Sequence, residues 1–131
     1  MTENLTSYKF ACAIARFLDD AKAQNIKILN ISSVSSFADY FVIASSDTST
    51  QIKALTQNTA ESVKKQFNRL PAGREDDAKN KWNLLDYADV VVHILQNVER
   101  ESYAIEKFWS HAYSVDREEW LENSKEFAKY E

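Results

Sequence analysis

The chain has 131 residues, which suits one domain built around a single core. Hydrophobic residues make up 44% and charged residues 27%; that balance excludes wholesale disorder, and no run approaches the roughly 18 apolar residues of a membrane-spanning helix. The net charge is −4 and the sixteen Lys and Arg residues form no cluster longer than Lys64-Lys65, so direct nucleic-acid binding is not expected and a protein partner is favoured.

The start, Met1-Thr2-Glu3-Asn4-Leu5, has neither the basic n-region nor the apolar h-region of a secretory signal, and it lacks the Arg enrichment of a transit peptide. A cytoplasmic location is the expectation. Tyr8 to Ala23 then predicts a helix. Tyr8, Cys12, Ala15 and Leu18 form one stripe, and Phe10, Ile14, Phe17 and Ala21 a neighbouring one. Cys12 is the lone cysteine, which excludes an intramolecular disulfide, and it reads as a small buried hydrophobe. Asn25 is a stop. Ile26 to Ile31 is a strand, Ser32 to Ser36 a turn, and Asp39 to Ser45 a second strand whose apolar run suits a central position.

The run Ser45-Ser46-Asp47-Thr48-Ser49-Thr50 offers several N-caps. The helix after it places Ile52, Leu55, Val63 and Phe67 on one face, and Leu70 is a further core candidate. Asn68 to Lys81 holds the single Gly73 and single Pro71 and reads as a surface loop, with Glu75-Asp76-Asp77 a solvated charge cluster. Trp82 to Leu85 and Val90 to Leu95 are strands joined by Asp86-Tyr87-Ala88-Asp89, hence an antiparallel hairpin. Val98 to Trp109 is a third helix, with Val98, Ile105, Phe108 and Trp109 apolar. A fourth runs from Asp116 to Lys129, with Glu119 at capping-box spacing and Trp120, Leu121 and Phe127 as its apolar face. The order α-β-β-α-β-β-α plus a C-terminal helix predicts an α/β mixed sheet with helices packed on it.

Convergent reactive groups are missing from this pattern. One glycine cannot build a phosphate loop, and His93 and His111 lie far apart with no Cys pair or carboxylate motif to complete a metal set. Asp86 and Asp89 read as turn formers, because a two-metal transfer site would want carboxylates alternating on one strand face beside a Gly-Ser turn. By alternation His93 shares a face with Val91 and Leu95; it is either a satisfied structural histidine or an exposed binding residue. No catalytic residue, cofactor or metal is expected.

The stretch Lys81–Leu95, with Asp86-Tyr87-Ala88-Asp89 followed by Val90-Val91-Val92-His93-Ile94-Leu95, closely resembles the signature of the ribosomal silencing factor (Iojap-like) family. Three further segments match in order: Ser35–Ala44, Ile52-Lys53-Ala54-Leu55, and Arg100–Trp109. The resemblance covers roughly Leu5 to Ala112, which divides the chain into a domain at 5–112 and a C-terminal extension at 113–131. It implies a nucleotidyltransferase-like fold without the active site. It also implies a partner, the large ribosomal subunit, through the protein at its intersubunit face (the fourteenth of the large-subunit series). Bound there, the chain would block the small subunit and lower translation when nutrients are scarce. A homodimer is compatible with this, and a nucleotidyltransferase-like enzyme and an adaptor unrelated to ribosomes are the alternatives.

The chain departs from the family pattern at Ser46, Asp76 and Ala88, where Gly is common, at Thr50-Gln51, where Arg-His is common, and at Leu95, where an aromatic or Met is common. For the partner surface, Trp82, Leu84, Tyr87, His93, Arg100 and Tyr103 are the expected contacts. Trp82 opens a strand, Tyr87 sits in a turn where full burial is difficult, and Arg100 and Tyr103 share a helix face.

Overall fold

A computed structural model describes residues 5–103, 107 and 112–128. Helix α1, Ser7–Asp20, starts at Thr6, whose side chain accepts a hydrogen bond from the Lys9 amide. Its apolar stripes place Phe10, Ile14, Phe17 and Leu18 in the core together with Cys12. Burial pushes the Cys12 thiol up to about 11, as befits an inert packing residue. Lys22, at φ 73°, turns the chain into β1, Gln24–Asn30, which begins with a bulge at Asn25 (φ 50°).

Strand β2, Tyr40–Ser46, leads into α2, Ser49–Phe67. Thr48 caps this helix, its Oγ1 accepting from the Gln51 amide, while Gln51 Oε1 accepts from the Thr48 and Ser46 hydroxyls. The Ser46 and Gln51 departures therefore serve one cap. Asn68 ends the helix in the left-handed region, its amide bonded to the Lys64 carbonyl. Leu70 does not reach the core and is 69% exposed.

The segment expected to be a loop contains a third strand, β3, Gly73–Glu75, paired antiparallel to β4, Trp82–Asp86. Its side chains are mostly exposed, so backbone pairing makes it a strand and apolar periodicity does not. Asp76 pairs with Arg74, and Asp77 accepts from the Lys79 and Lys81 amides, so two members of the acidic run are structural. The hairpin from β4 to β5, Val90–Gln96, is antiparallel as expected. Ala88 takes φ 76° in its turn, the left-handed conformation that glycine adopts more cheaply.

The sheet order is β3-β4-β5-β2-β1-β6, with only β2 and β5 parallel. α2 and the β3–β4 pair form the crossover between those two strands. Helices α1 and α2 cover one face over the larger core, which includes Val42, Ala44, Leu85, Val92 and Ile94. Helix α3, Asn97–Tyr103, packs against β5 and β2. The second face carries the smaller cluster of Leu29, Ile31, Ala38, Ile43 and Leu95. Ile105, Phe108 and Trp109 lie outside the described residues.

The C-terminal stretch adds a strand and a helix to this body. Strand β6, Tyr113–Val115, pairs antiparallel with β1, and α4, Arg117–Glu122, sends Trp120, 1% exposed, into the larger core. The expected helix from Asp116 to Lys129 is not continuous. The Ser124 hydroxyl donates to the Trp120 carbonyl and Arg16 donates to the Leu121 carbonyl, taking two acceptors that a longer helix would use. A 3-10 turn, Lys125–Phe127, then sets Phe127 against Phe17 and Phe67. Asp116 holds the N-cap position without a side-chain capping bond, and Glu119 accepts instead from the Tyr8 hydroxyl at 2.5 Å.

Candidate partner-binding face

Strand register decides which residues share the second sheet face. Leu84 stands opposite His93 on one side and Glu75 on the other. Val91 stands opposite Asp86 and Phe41, and His93 opposite Ile43. Directly opposed residues point to the same side of a sheet. Trp82, at the start of β4, pairs with Leu95 in the next row. One end of this face thus gathers Trp82, Leu84, Val91 and Phe41, each half-buried, with Glu75 and Asp86 beside them. Lys27 lies further along the same face, on β1 opposite Ile43.

His93 sits at the centre of this group and is 7% exposed. The Trp82 indole Nε1 donates to His93 Nδ1 at 3.2 Å, and the Phe41 ring meets the imidazole edge-on at 4.6 Å between centroids. Burial holds the imidazole well below its ordinary value, at about 4, so the ring is neutral at physiological pH. Its Nε2 is buried and makes no hydrogen bond.

The six expected contact residues divide. Trp82, Leu84 and His93 come together on this face. Tyr87 does not join them and is not exposed: it is 2% exposed, stacked edge-on against Phe10 at 5.3 Å in the core under α1. A turn backbone at the surface can still send its side chain inward, and here the left-handed Ala88 shapes such a turn. Burial raises the Tyr87 phenol to about 12. Arg100 is also inward, 7% exposed, its Nη1 donating to the Asn25 carbonyl at 2.5 Å and to the Ser45 hydroxyl at 3.1 Å. It ties α3 to the ends of β1 and β2. Tyr103 ends α3, and its side chain lies outside the described part.

Phe41 and Val91 belong to the face and were missed. The run Tyr40–Ala44 is apolar on both parities, so alternation alone could not say which residues face which way. Register with β5 does. Glu75 was missed because its strand carries no periodic signal.

At the other end of the hairpin lies a polar cluster. The Ser7 hydroxyl lies 2.9 Å from an Asp39 oxygen and 3.1 Å from an Asp89 oxygen, and Arg69 meets Asp89 at 2.6 Å with its guanidinium over the Phe10 ring. The Asp39 and Tyr40 amides donate to the Asp89 carbonyl, and the Ala88 amide to Asp86. These bonds make Asp86 and Asp89 turn residues. Among the described residues, no group of three or more His, Cys, Asp or Glu is placed to hold a metal ion, and no helix is long and apolar enough to cross a membrane.

Comparison with known proteins places the chain. A family model described as "Ribosomal silencing factor during starvation" matches residues 4–131, so the similarity extends through the C-terminal stretch that the motifs alone left outside. The chain is 33% identical to ribosomal silencing factor RsfS of Halalkalibacterium halodurans over 104 residues, covering 77% of this chain and 86% of that protein. It is 31% identical to the chloroplastic protein Iojap of Zea mays over 107 residues, 82% of this chain and 46% of that one. The chain thus spans about half the length of the plant relatives it matches. A crystal structure of a Chromobacterium violaceum protein superposes with a TM-score of 0.70 at 29% identity, covering 79% of this chain and 83% of that one. One from Bacillus halodurans also gives 0.70, at 27% identity, covering 82% and 97%.

Proposed function

The chain belongs to the ribosomal silencing factor family, and from that premise we propose that it represses translation by docking on the large ribosomal subunit and excluding the small one. The docking site on the subunit is its intersubunit-face protein, the fourteenth of the large-subunit series. The action is steric, requires no catalytic step, takes place in the cytoplasm and matters most when nutrients are limiting.

The observation that carries this reading is the half-buried patch of Trp82, Leu84, Val91 and Phe41 around His93, bordered by Glu75 and Asp86. Large aromatic side chains that keep part of their area in solvent are the usual anchors of a protein interface. The neighbouring carboxylates, on a chain of net charge −4, suit a basic protein surface and speed its encounter. Arg100 contributes by holding α3 in place, and Trp82, Leu84 and His93 make the contact.

The test uses reconstituted subunits. Small and large subunits should fail to associate on a density gradient when the large subunit is pre-incubated with this protein. The protein should co-sediment with free large subunits at one copy each. Normal association at saturating protein would sink the proposal.

A further inference from the structure

One buried polar atom on the docking patch, His93 Nε2, has no hydrogen-bond partner. A tryptophan indole can only donate, so His93 Nδ1, which receives the Trp82 N–H, must be the bare nitrogen. In a neutral imidazole the proton then resides on Nε2. That N–H is buried without an acceptor. Buried donors in folded proteins are nearly always paired, and leaving one unpaired costs stability. Among the described residues the Tyr87 hydroxyl is also buried and unpaired, in the core under α1. The His93 N–H belongs to the opposite sheet face, on a ring held between Trp82 and Phe41 of the docking patch.

We infer that His93 Nε2–H is the donor by which the patch selects its partner, and that its acceptor is a backbone carbonyl oxygen of a protein. The inference rests on the docking reading above. The ring cannot swing freely, because the Trp82 bond and the Phe41 edge contact hold it from two sides. Its donor direction is therefore set before binding, which lowers the entropy cost of recognition. Glu75 and Asp86 share the face and repel phosphate or carboxylate groups. A neutral oxygen in an apolar surround meets no such penalty. A site built around one buried donor discriminates strongly against a surface that offers no acceptor.

Purified large ribosomal subunits are the probe, with binding read by sedimentation and folding by thermal melting. His93→Phe keeps an aromatic ring and removes both the Nε2 donor and the Nδ1 acceptor for the Trp82 indole. It should bind subunits at least about tenfold more weakly while melting close to wild type. Trp82→Phe, which removes the indole bond and spares Nε2–H, should lose less. His93→Gln restores an N–H at a similar reach and should recover most of that loss. The inference is overturned if His93→Phe binds as wild type does, if its binding falls only in step with its melting temperature, or if neither variant folds, since each outcome makes His93 a purely structural residue. It is equally overturned if His93→Phe weakens binding to deproteinised large-subunit RNA as much as to subunits, which would place the acceptor on RNA. If the wild type itself does not bind subunits, the docking reading fails first and this inference goes with it.

Discussion

The two faces of the sheet are made by the same strands and differ in finish. Under α1 and α2, Val92, Ile94, Leu85 and Val42 are fully enclosed, and even the polar side chain of Asn83 is matched, donating to the Thr56 hydroxyl and to Asn80. One residue along each strand, on the other side, Val91, Leu84 and Phe41 stay half-buried and His93 keeps an unmatched N–H. A fully enclosed face and a half-buried face are both apolar in sequence. Their difference lies in exposure, since each holds one unmatched buried polar group, the Tyr87 hydroxyl under α1 and His93 Nε2 on the other side. On the proposed reading, that exposure separates stability from binding.

Mutations should divide along the same line, with the largest effects on the closed face. Trp120→Ala and Tyr87→Ala each empty a buried aromatic site and should cost about 3–5 kcal/mol of folding stability, measured by denaturant titration. Their binding to large subunits should fall only as the folded fraction falls. Tyr87→Ala that folds normally and binds poorly would break the comparison, because Tyr87 would then act on the open side.

The next effect is a pH dependence specific to the open face. The folded-state value of His93, about 4, lies below its ordinary 6.5, so between those limits the unfolded chain takes up the proton more readily. The stability held by the neutral ring is complete above pH 6.5 and is lost as the pH falls toward 4. Its full size is on the order of 3 kcal/mol, at about 1.4 kcal/mol per unit. Subtracting the stability curve of His93→Phe from that of the wild type isolates this contribution from the carboxylates, and parallel curves between pH 4 and 6.5 would contradict it.

Trp82→Ala should do the reverse of Tyr87→Ala. It removes a half-buried anchor and should weaken subunit binding by about 1–4 kcal/mol with the circular dichroism spectrum and melting temperature nearly intact. Equal loss of binding and stability would mean that the open face is merely a less tidy part of the core. The smallest change sharpens the boundary between the two faces. Ala88, at φ 76°, turns the hairpin between Tyr87 on one side and Val91 on the other. Ala88→Gly relieves the left-handed strain and offsets it with added freedom in the unfolded chain, so stability should rise by no more than about 1 kcal/mol while binding stays unchanged.

Local pattern by itself determined the helices at α1 and α2, the central apolar strands, the hairpin and the face that His93 occupies, because each depends on a periodicity that a few consecutive residues already carry. It also carried the family resemblance, most densely in Lys81–Leu95. What it could not supply was what covers each face. Tyr87 and Arg100 look like surface residues from their turn and helix positions, yet both point inward, since Phe10 and the ends of β1 and β2 come to them from distant parts of the chain. Strands β3 and β6 are three residues long and are strands only because β4 and β1 lie beside them. The tail helix stops where Arg16, more than a hundred positions earlier, takes the Leu121 carbonyl. In each case the deciding partner is remote in sequence, and a backbone donor or a side-chain cavity supplied from elsewhere leaves no periodic trace in the segment that uses it.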